Sequence, residues 1–489
     1  MTSLHILLFP LMAQGHMIPM IDMAKLIAKQ GPTITIITTP VNALRFRPTV
    51  VRATEAGLRI TIMELKFPSK EAGLPEGCEN FDLLPSLGLA MNFMVAIGML
   101  KEQLQEKMQE INPRPDCLIS DMGLHWTTEL AKNFGIPRLV FHGTCCFSLL
   151  CSLNLHESKL LDTIGSDTER FLVPGLPDRI ELTRVQLPHS QNAGSSERKE
   201  LTRKIRAAEE ESFGVVVNSF EELETEYVKR YKEAKGNRVW CLGPVSLCNK
   251  DDIDMAERGN KAATDGDRCL KWLDSFEIGS VVYACLGSLN SLNSAQLVEL
   301  GLGLEASNRP FIWVVRGAQV DELQMWMKED GFEERIKGRG LIIRGWAPQV
   351  LLLSHPAIGV FLTHCGWNST LEAVSAGLPM VTWPMFAEQF LNEKLVVEVL
   401  KTGVGVGVEA PMKWGEEANA GVMVKKDDVR KALATVMDEG DEGEAMRRRA
   451  REIGKSAREA IEGGSSEMNL KSLIQEIAKQ KAERQDSRS

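Results

Sequence analysis

From Trp346 to Gln389 the chain reads WAPQVLLLSHPAIGVFLTHCGWNSTLEAVSAGLPMVTWPMFAEQ, and its polar residues fall where apolar runs begin or end. His364-Cys-Gly-Trp-Asn-Ser-Thr lies where a buried strand is expected to turn into a helix. A helix start offers backbone N–H groups and the positive end of its dipole, which suits a phosphate. Gly366 permits close backbone approach, Asn368 and Ser369 add side-chain donors, and His364 can donate from its ring. Glu372 follows on the same helix, where a carboxylate can hold both hydroxyls of a ribose. Trp346 comes after a strand end and can stack on a base, while Glu388 and Gln389 open the next helix and can bond sugar hydroxyls. Taken singly, Trp346 or His364 is more simply a packed core residue. Packing does not require His, Asn, Ser, Glu and Gln at successive strand and helix ends, so together they read as a nucleotide-sugar cradle.

A second constellation lies far away in sequence. His16 falls in the turn after the first strand, and Asp121 at the end of a later strand of the same expected sheet. Both then project from the carboxyl edge. A histidine oriented by a carboxylate is a general base, here one able to take a proton from a hydroxyl. His5 lies within an expected strand, and His125 and His142 read as possible pocket-lining residues. The acidic pairs Asp252/Asp254 and Asp265/Asp267 sit in polar loops with no preceding strand, so they read as solvated charge. No metal and no cofactor is expected.

The elements needed to position these residues alternate strand and helix. In the first half, strands are expected at Leu4–Phe9, Ile34–Thr39, Ile60–Leu65, Asp116–Ser120, Arg138–His142 and Val215–Phe220, with a helix over Pro19–Gln30 and another over Leu100–Glu110. In the second, strands are expected at Ser280–Ser288, Phe311–Val315, Leu341–Gly345, Ile358–His364 and Pro379–Pro384, and helices at Trp367–Ala376 and Leu391–Leu400. Such alternation implies parallel sheets covered by helices, with ligands at the carboxyl ends of the strands. The fold class is therefore α/β, two doubly wound domains facing across a cleft. The expected division is residues 1–246 for one domain, a polar linker or loop at 247–267, 268–465 for the other, and a C-terminal helix and tail at 466–489.

Composition narrows the function. A chain of 489 residues with 44% hydrophobic and 25% charged residues is an ordinary globular protein of about two domains. Its net charge of −9 disfavours nucleic acid and anionic membranes as partners. Ten cysteines without a CxxC pair indicate buried thiols in a reducing cytoplasm. The N-terminus lacks a basic leader, and the longest apolar stretch, Leu83–Leu100, is too short and interrupted to span a bilayer. A dinucleotide-dependent oxidoreductase would need G-x-G-x-x-G after the first strand, whereas MAQGHMIPM supplies one glycine. A binding protein without turnover would be favoured by an altered His16 or Asp121, and both are present.

The segment Trp346–Gln389 resembles the signature box of plant family 1 UDP-dependent glycosyltransferases. LMAQGHMIP (Leu11–Pro19), NPRPDCLISD (Asn112–Asp121), GPVSLCNK (Gly243–Lys250) and CLGS (Cys285–Ser288) extend the similarity over essentially the whole chain. The nearest subgroup glucosylates flavonoids, triterpenoids, steroids and xenobiotics. The resemblance implies the GT-B fold, with an N-terminal acceptor domain, a C-terminal donor domain and a last helix crossing back onto the first. It implies that Trp346 stacks on uracil, that Ala347 and Gln349 border the uridine, and that Glu372 binds ribose. It assigns the diphosphate to Ser288, His364, Asn368 and Ser369, and the sugar to Trp367, Glu388 and Gln389. A closing Gln resembles glucose users, whereas a closing His goes with galactose. The expected partners are UDP-glucose and a small hydrophobic acceptor, and the expected state is a monomer that inverts α-UDP-glucose to a β-glucoside. MGLHW (Met122–Trp126) and Leu87–Leu100 match no pattern, which leaves the acceptor open.

Overall fold

In the computed structural model, residues 4–188, 196–264, 266–287, 292–316, 320–412 and 421–486 are described. The chain forms two compact units: one of Met1–Cys146, Ala193–Lys250 and Glu459–Ser489, the other of Phe147–Asn192 and Asp251–Arg458. The stretch Phe147–Asn192 thus groups with the second unit, and the chain's last helix with the first.

The first unit holds a sheet of β1 (His5–Phe9), β2 (Thr33–Thr38), β3 (Ile60–Glu64), β4 (Cys117–Asp121), β5 (Arg138–His142), β8 (Gly214–Val217) and β9 (Val239–Cys241). Its order is β3-β2-β1-β4-β5-β8-β9, and every pairing is parallel. β1 is HILLF with every residue buried, as expected for a parallel strand covered on both faces. Phe9 meets Trp126 edge to face at 5.8 Å, packing the core beneath the end of β4. The last helix, Ser465–Asp486, buries Leu470, Leu473 and Ile477 in this unit's core, and its Lys481 and Arg484 bond Asp116.

The second unit begins in the helix Cys146–Ser158 and continues into an antiparallel hairpin of β6 (Arg170–Leu172) and β7 (Glu181–Thr183), which lacked a sequence signal. Its main sheet comprises β10 (Val281–Cys285), β11 (Phe311–Val315), β12 (Gly340–Arg344), β13 (Ile358–Thr363), β14 (Met380–Thr382) and β15 (Gly403–Gly405). The order is β12-β11-β10-β13-β14-β15, again all parallel. The glycine-rich 403–407 stretch therefore supplies an edge strand.

The sheet order reverses between β1 and β4 in one unit and between β10 and β13 in the other. At such a switch point the connections leave in opposite directions and open a crevice at the carboxyl ends. His16 follows β1, Asp121 ends β4, Gly287 follows β10 and His364 follows β13.

Two helices start earlier than expected. The first runs Gln14–Lys29 with Pro19 inside it. Its opening turn is made by the N–H groups of His16 and Met17, which donate to the Ala13 carbonyl at 3.0 and 2.9 Å. Pro19 thus stands in the second turn and forgoes one bond, to Gly15, instead of marking the start. The third long helix runs Ala90–Glu110, and its buried Phe93, Ala96, Ile97, Leu100 and Leu104 supply the periodicity that Gly98 and the methionines blur in sequence.

Gly359, within β13, shows how tightly the second sheet packs. A Cβ there would stand 1.9 Å from the Gly279 carbonyl oxygen. Gly359→Ala is therefore expected to destabilise the protein by about 3 kcal/mol, the upper part of the range for overpacking. A urea unfolding curve superimposable on wild type would contradict the close contact.

Candidate active site

In the first unit, His16 lies in the opening turn of the helix Gln14–Lys29, and its Nδ1 is 2.6 Å from Oδ2 of Asp121. The His16 side chain is 35% exposed and that of Asp121 is not exposed at all. Oδ1 of Asp121 accepts from the Gly123 N–H at 3.0 Å, and Arg138 donates to the Asp121 carbonyl at 3.2 Å. Burial pushes the Asp121 carboxyl up, but the facing His16 ring and the hydrogen bonds from His16 and Gly123 outweigh it and hold the carboxyl below its ordinary value. Asp121 is thus an ionised anchor that orients the ring. MGLHW, unassigned in sequence, makes the turn that holds it.

The neighbourhood of this dyad is apolar. A Cβ on Gly123 would be 3.8 Å from the Met94 methyl and 3.9 Å from a Leu11 methyl. His142 is not a lining residue: it is buried, with Nε2 2.7 Å from Glu209. His125 is half-buried, and burial lowers its pKa. His5 is buried within β1, bonding the Pro113 carbonyl and Thr35.

In the second unit, His364, Cys365 and Gly366 join β13 to the helix Trp367–Ala376. A Cβ on Gly366 would lie 2.3 Å from His364 Nε2, and one on Gly287, whose φ is +88°, would lie 2.5 Å from it. Both glycines thus make room for the His364 ring, a requirement distinct from the phosphate approach expected of Gly366. Cys365 has φ +63°, a left-handed conformation that costs a non-glycine residue about 1–2 kcal/mol. Its carbonyl is held by Asn392 Nδ2 at 2.8 Å. Burial, with Arg316 nearby, pushes the His364 pKa down to about 4, so the ring is neutral at pH 7. Its Nδ1 has no hydrogen-bond partner among the described residues. In its neutral form the ring carries one N–H and can contribute a hydrogen-bond donor.

Gln349, Ser369 and Glu372 are brought together. The Gln349 amide donates to Ser369 Oγ at 3.0 Å and to Glu372 Oε2 at 2.8 Å. Trp346 is half-buried beside the buried Ala347. Asn368 stands with Ser369 in the opening turn of its helix. Trp367 is also in that turn and is almost fully buried, 2% exposed. Glu388 caps the helix Gln389–Lys394. Gln389 is buried, and its Oε1 accepts from the N–H groups of Met385 and Phe386 at 2.9 and 3.1 Å. The acceptor end of the amide is thus committed to this loop, and the end that can donate is Nε2. Ser288 lies outside the described residues.

Two arginines were missed by sequence reasoning. Arg316 stacks on Trp346, its guanidinium 4.2 Å from the ring centroid, and donates to the Gly345 carbonyl. Arg258, from the polar stretch read as a linker or loop, pairs with Glu372 at 2.6 Å. Neither has a motif around it; only the position of Arg316, one residue past the FIWVV strand, offered a signal.

A family profile described as UDP-glucoronosyl and UDP-glucosyl transferase matches residues 257–447. UDP-glycosyltransferase 73C3 of Arabidopsis thaliana is 56% identical over 97% of this chain and 96% of its own. Among solved structures, Glycyrrhiza uralensis UGT73P12 complexed with glycyrrhetinic acid 3-O-monoglucuronide matches with a TM-score of 0.92 and 39% identity, over 100% of this chain and 98% of that one. Arabidopsis thaliana UGT89C1 complexed with UDP-L-rhamnose matches with a TM-score of 0.75 and 30% identity, over 98% and 100% of the two chains.

Glu393 gives the site a pH-dependent neighbour. Burial pushes its pKa up to about 7, against the weaker opposing effect of the Thr382 hydroxyl, which donates to it at 2.6 Å. A carboxyl whose folded pKa is raised favours folding in full below its unfolded value near 4.5, and that contribution is lost as pH rises through about 7. Glu393→Gln should therefore raise the melting temperature more at pH 8 than at pH 5. Equal shifts at both pH values would show that the carboxyl ionises without cost.

Proposed function

The chain belongs to the UDP-glycosyltransferases, enzymes of the GT-B fold, and from that premise we propose that it is an inverting O-glucosyltransferase using UDP-glucose. The acceptor is a hydroxyl or carboxyl of a hydrophobic plant specialised metabolite such as a flavonoid or triterpenoid. The observation that carries the mechanism is the 2.6 Å contact between His16 and the buried, ionised Asp121. With Nδ1 on Asp121, Nε2 takes the acceptor proton. The acceptor oxygen forms a bond to the anomeric carbon as the carbon–phosphate oxygen bond breaks, and UDP leaves with the electron pair. One displacement from the opposite face converts the α-linked donor to a β-glucoside.

Met94 and Leu11 beside Gly123 favour an apolar acceptor. A triterpenoid is supported further by the glycyrrhetinic acid glucuronide bound to UGT73P12. Steroid hormones, cytokinins and xenobiotics are the alternative acceptors on the same machinery. In this reading the diphosphate is met by the first turn of the helix Trp367–Ala376, by Asn368, Ser369 and His364, and by Ser288, with Arg316 supplying positive charge nearby. No divalent ion is needed. The ten cysteines are buried and none forms a disulfide, which suits a reducing cytoplasm, and no described helix is long and apolar enough to cross a membrane.

His16→Ala should lower transfer by about 10²–10⁴-fold, the usual worth of a general base, while UDP binding measured by calorimetry stays unchanged. Wild-type activity should survive EDTA in the same assay. Near-normal turnover in the variant, or revival of an EDTA-treated enzyme by Mg²⁺, would overturn the mechanism.

The donor sugar needs its own test, because UGT89C1 is found with UDP-L-rhamnose and UGT73P12 with a glucuronide. A buried amide that pairs an equatorial 4-hydroxyl leaves itself unpaired against the axial epimer. UDP-glucose should therefore be used at least about tenfold faster than UDP-galactose. Gln389→Glu keeps an oxygen for the Met385–Phe386 loop but loses the donor, and should depress glucose transfer while sparing UDP affinity. Equal rates with both sugars would remove Gln389 from donor selection.

A further inference from the structure

The charged stretch Asp251–Thr264 reaches the nucleotide cradle at two places within its own unit. The Ala263 N–H donates to the Trp346 carbonyl at 2.8 Å. The fit there is close: Gly345 has φ +119°, and a Cβ on it would stand 2.7 Å from the Ala263 methyl. At the second place, Arg258 Nη1 donates to Glu372 Oε1 at 2.6 Å, with both side chains only 9% exposed. One short segment thus contacts both the aromatic residue assigned to the base and the carboxylate assigned to the ribose.

A carboxylate accepts through both oxygens, and a charged donor gives it the stronger, charge-assisted kind of hydrogen bond. Arg258 supplies such a donor from a rigid, planar group. It takes one lone pair of Oε1 while Gln349 takes one of Oε2. The remaining lone pair on each oxygen matches the two vicinal hydroxyls of a ribose. The two donors also restrict the rotation of a carboxylate that would otherwise turn about its last side-chain bond.

We propose that Arg258 is a positioning residue for ribose recognition, presetting the Glu372 carboxylate through their buried ion pair. This rests on the assignment of Glu372 to the ribose. A residue that merely tethered the segment would affect every uridine nucleotide alike, whereas a positioning residue acts through the ribose hydroxyls.

The test is calorimetric titration of the full chain with UDP and with 2′-deoxy-UDP. Wild type should prefer UDP by about 10- to 100-fold, as one hydrogen bond to a charged group allows. Arg258→Met should weaken UDP binding and shrink that preference to within about threefold, leaving 2′-deoxy-UDP affinity nearly unchanged. Arg258→Lys, which restores the charge without the fork, should recover part of the preference and keeps the test open if the Met variant does not fold. Equal weakening of both nucleotides by Arg258→Met, or no change in either, would overturn the proposal. Glu372→Ala separates the two levels. If it retains the full preference, the ribose assignment fails and the role of Arg258 with it; if it abolishes the preference while Arg258→Met does not, only the role of Arg258 fails.

Discussion

Parallel pairing of two non-consecutive strands is the constraint on which the rest depends. β1 pairs with β4 and β10 with β13, with Phe9 opposite Ser120 and Cys285 opposite Thr363. Those registers bring chain segments more than 70 residues apart to common edges. His16 and Asp121 can meet at 2.6 Å only because the strands preceding them end side by side. Gly287 can lie under the His364 ring for the same reason. The buried apolar strands supply the stability, and the carboxyl edge carries polar chemistry because backbone groups there are not consumed by the sheet.

Close approach at those edges is bought with backbone strain. Cys365 and Ala387, both left-handed and neither glycine, flank the two turns that lead into the helices Trp367–Ala376 and Gln389–Lys394. Each turn is held by a side chain from the helix Gln389–Lys394. Asn392 binds the Cys365 carbonyl, and Gln389 binds the N–H groups of Met385 and Phe386. The two turns therefore depend on one another through a six-residue helix, a link that neither turn's sequence suggests alone.

The sheets were legible because fully buried parallel strands such as FIWVV and IGVFLT read as unbroken apolar runs. Three-residue strands such as β9 and β15 were not, since VWC and GVG are too short to carry a period. The start at Gln14 was hidden by Pro19, which sequence habit puts in the first turn of a helix. At the site, residues embedded in a long motif were identified together, and Gln349, Ser369 and Glu372 do form one network. Arg258 was not, because a charged residue in a polar stretch looks the same whether it faces water or enters a pocket. Which end of the Gln389 amide is occupied was not legible either, since it depends on the backbone N–H groups of a loop.

The carboxylates show why such partners matter to the chemistry. Asp121 and Glu393 are both buried beside the strand ends, and burial alone would push both up. Asp121 has an imidazole and a backbone N–H at its two oxygens, and it falls below its ordinary value. Glu393 has the hydroxyl of Thr382, and it rises to about 7. A hydroxyl can donate to either form of the acid, so it does little to favour the charged one, whereas a group that gains positive charge strongly favours it. A base dyad therefore cannot be recognised by a buried carboxylate alone. It requires a titratable donor within hydrogen-bond reach, and among these two acids only Asp121 has one.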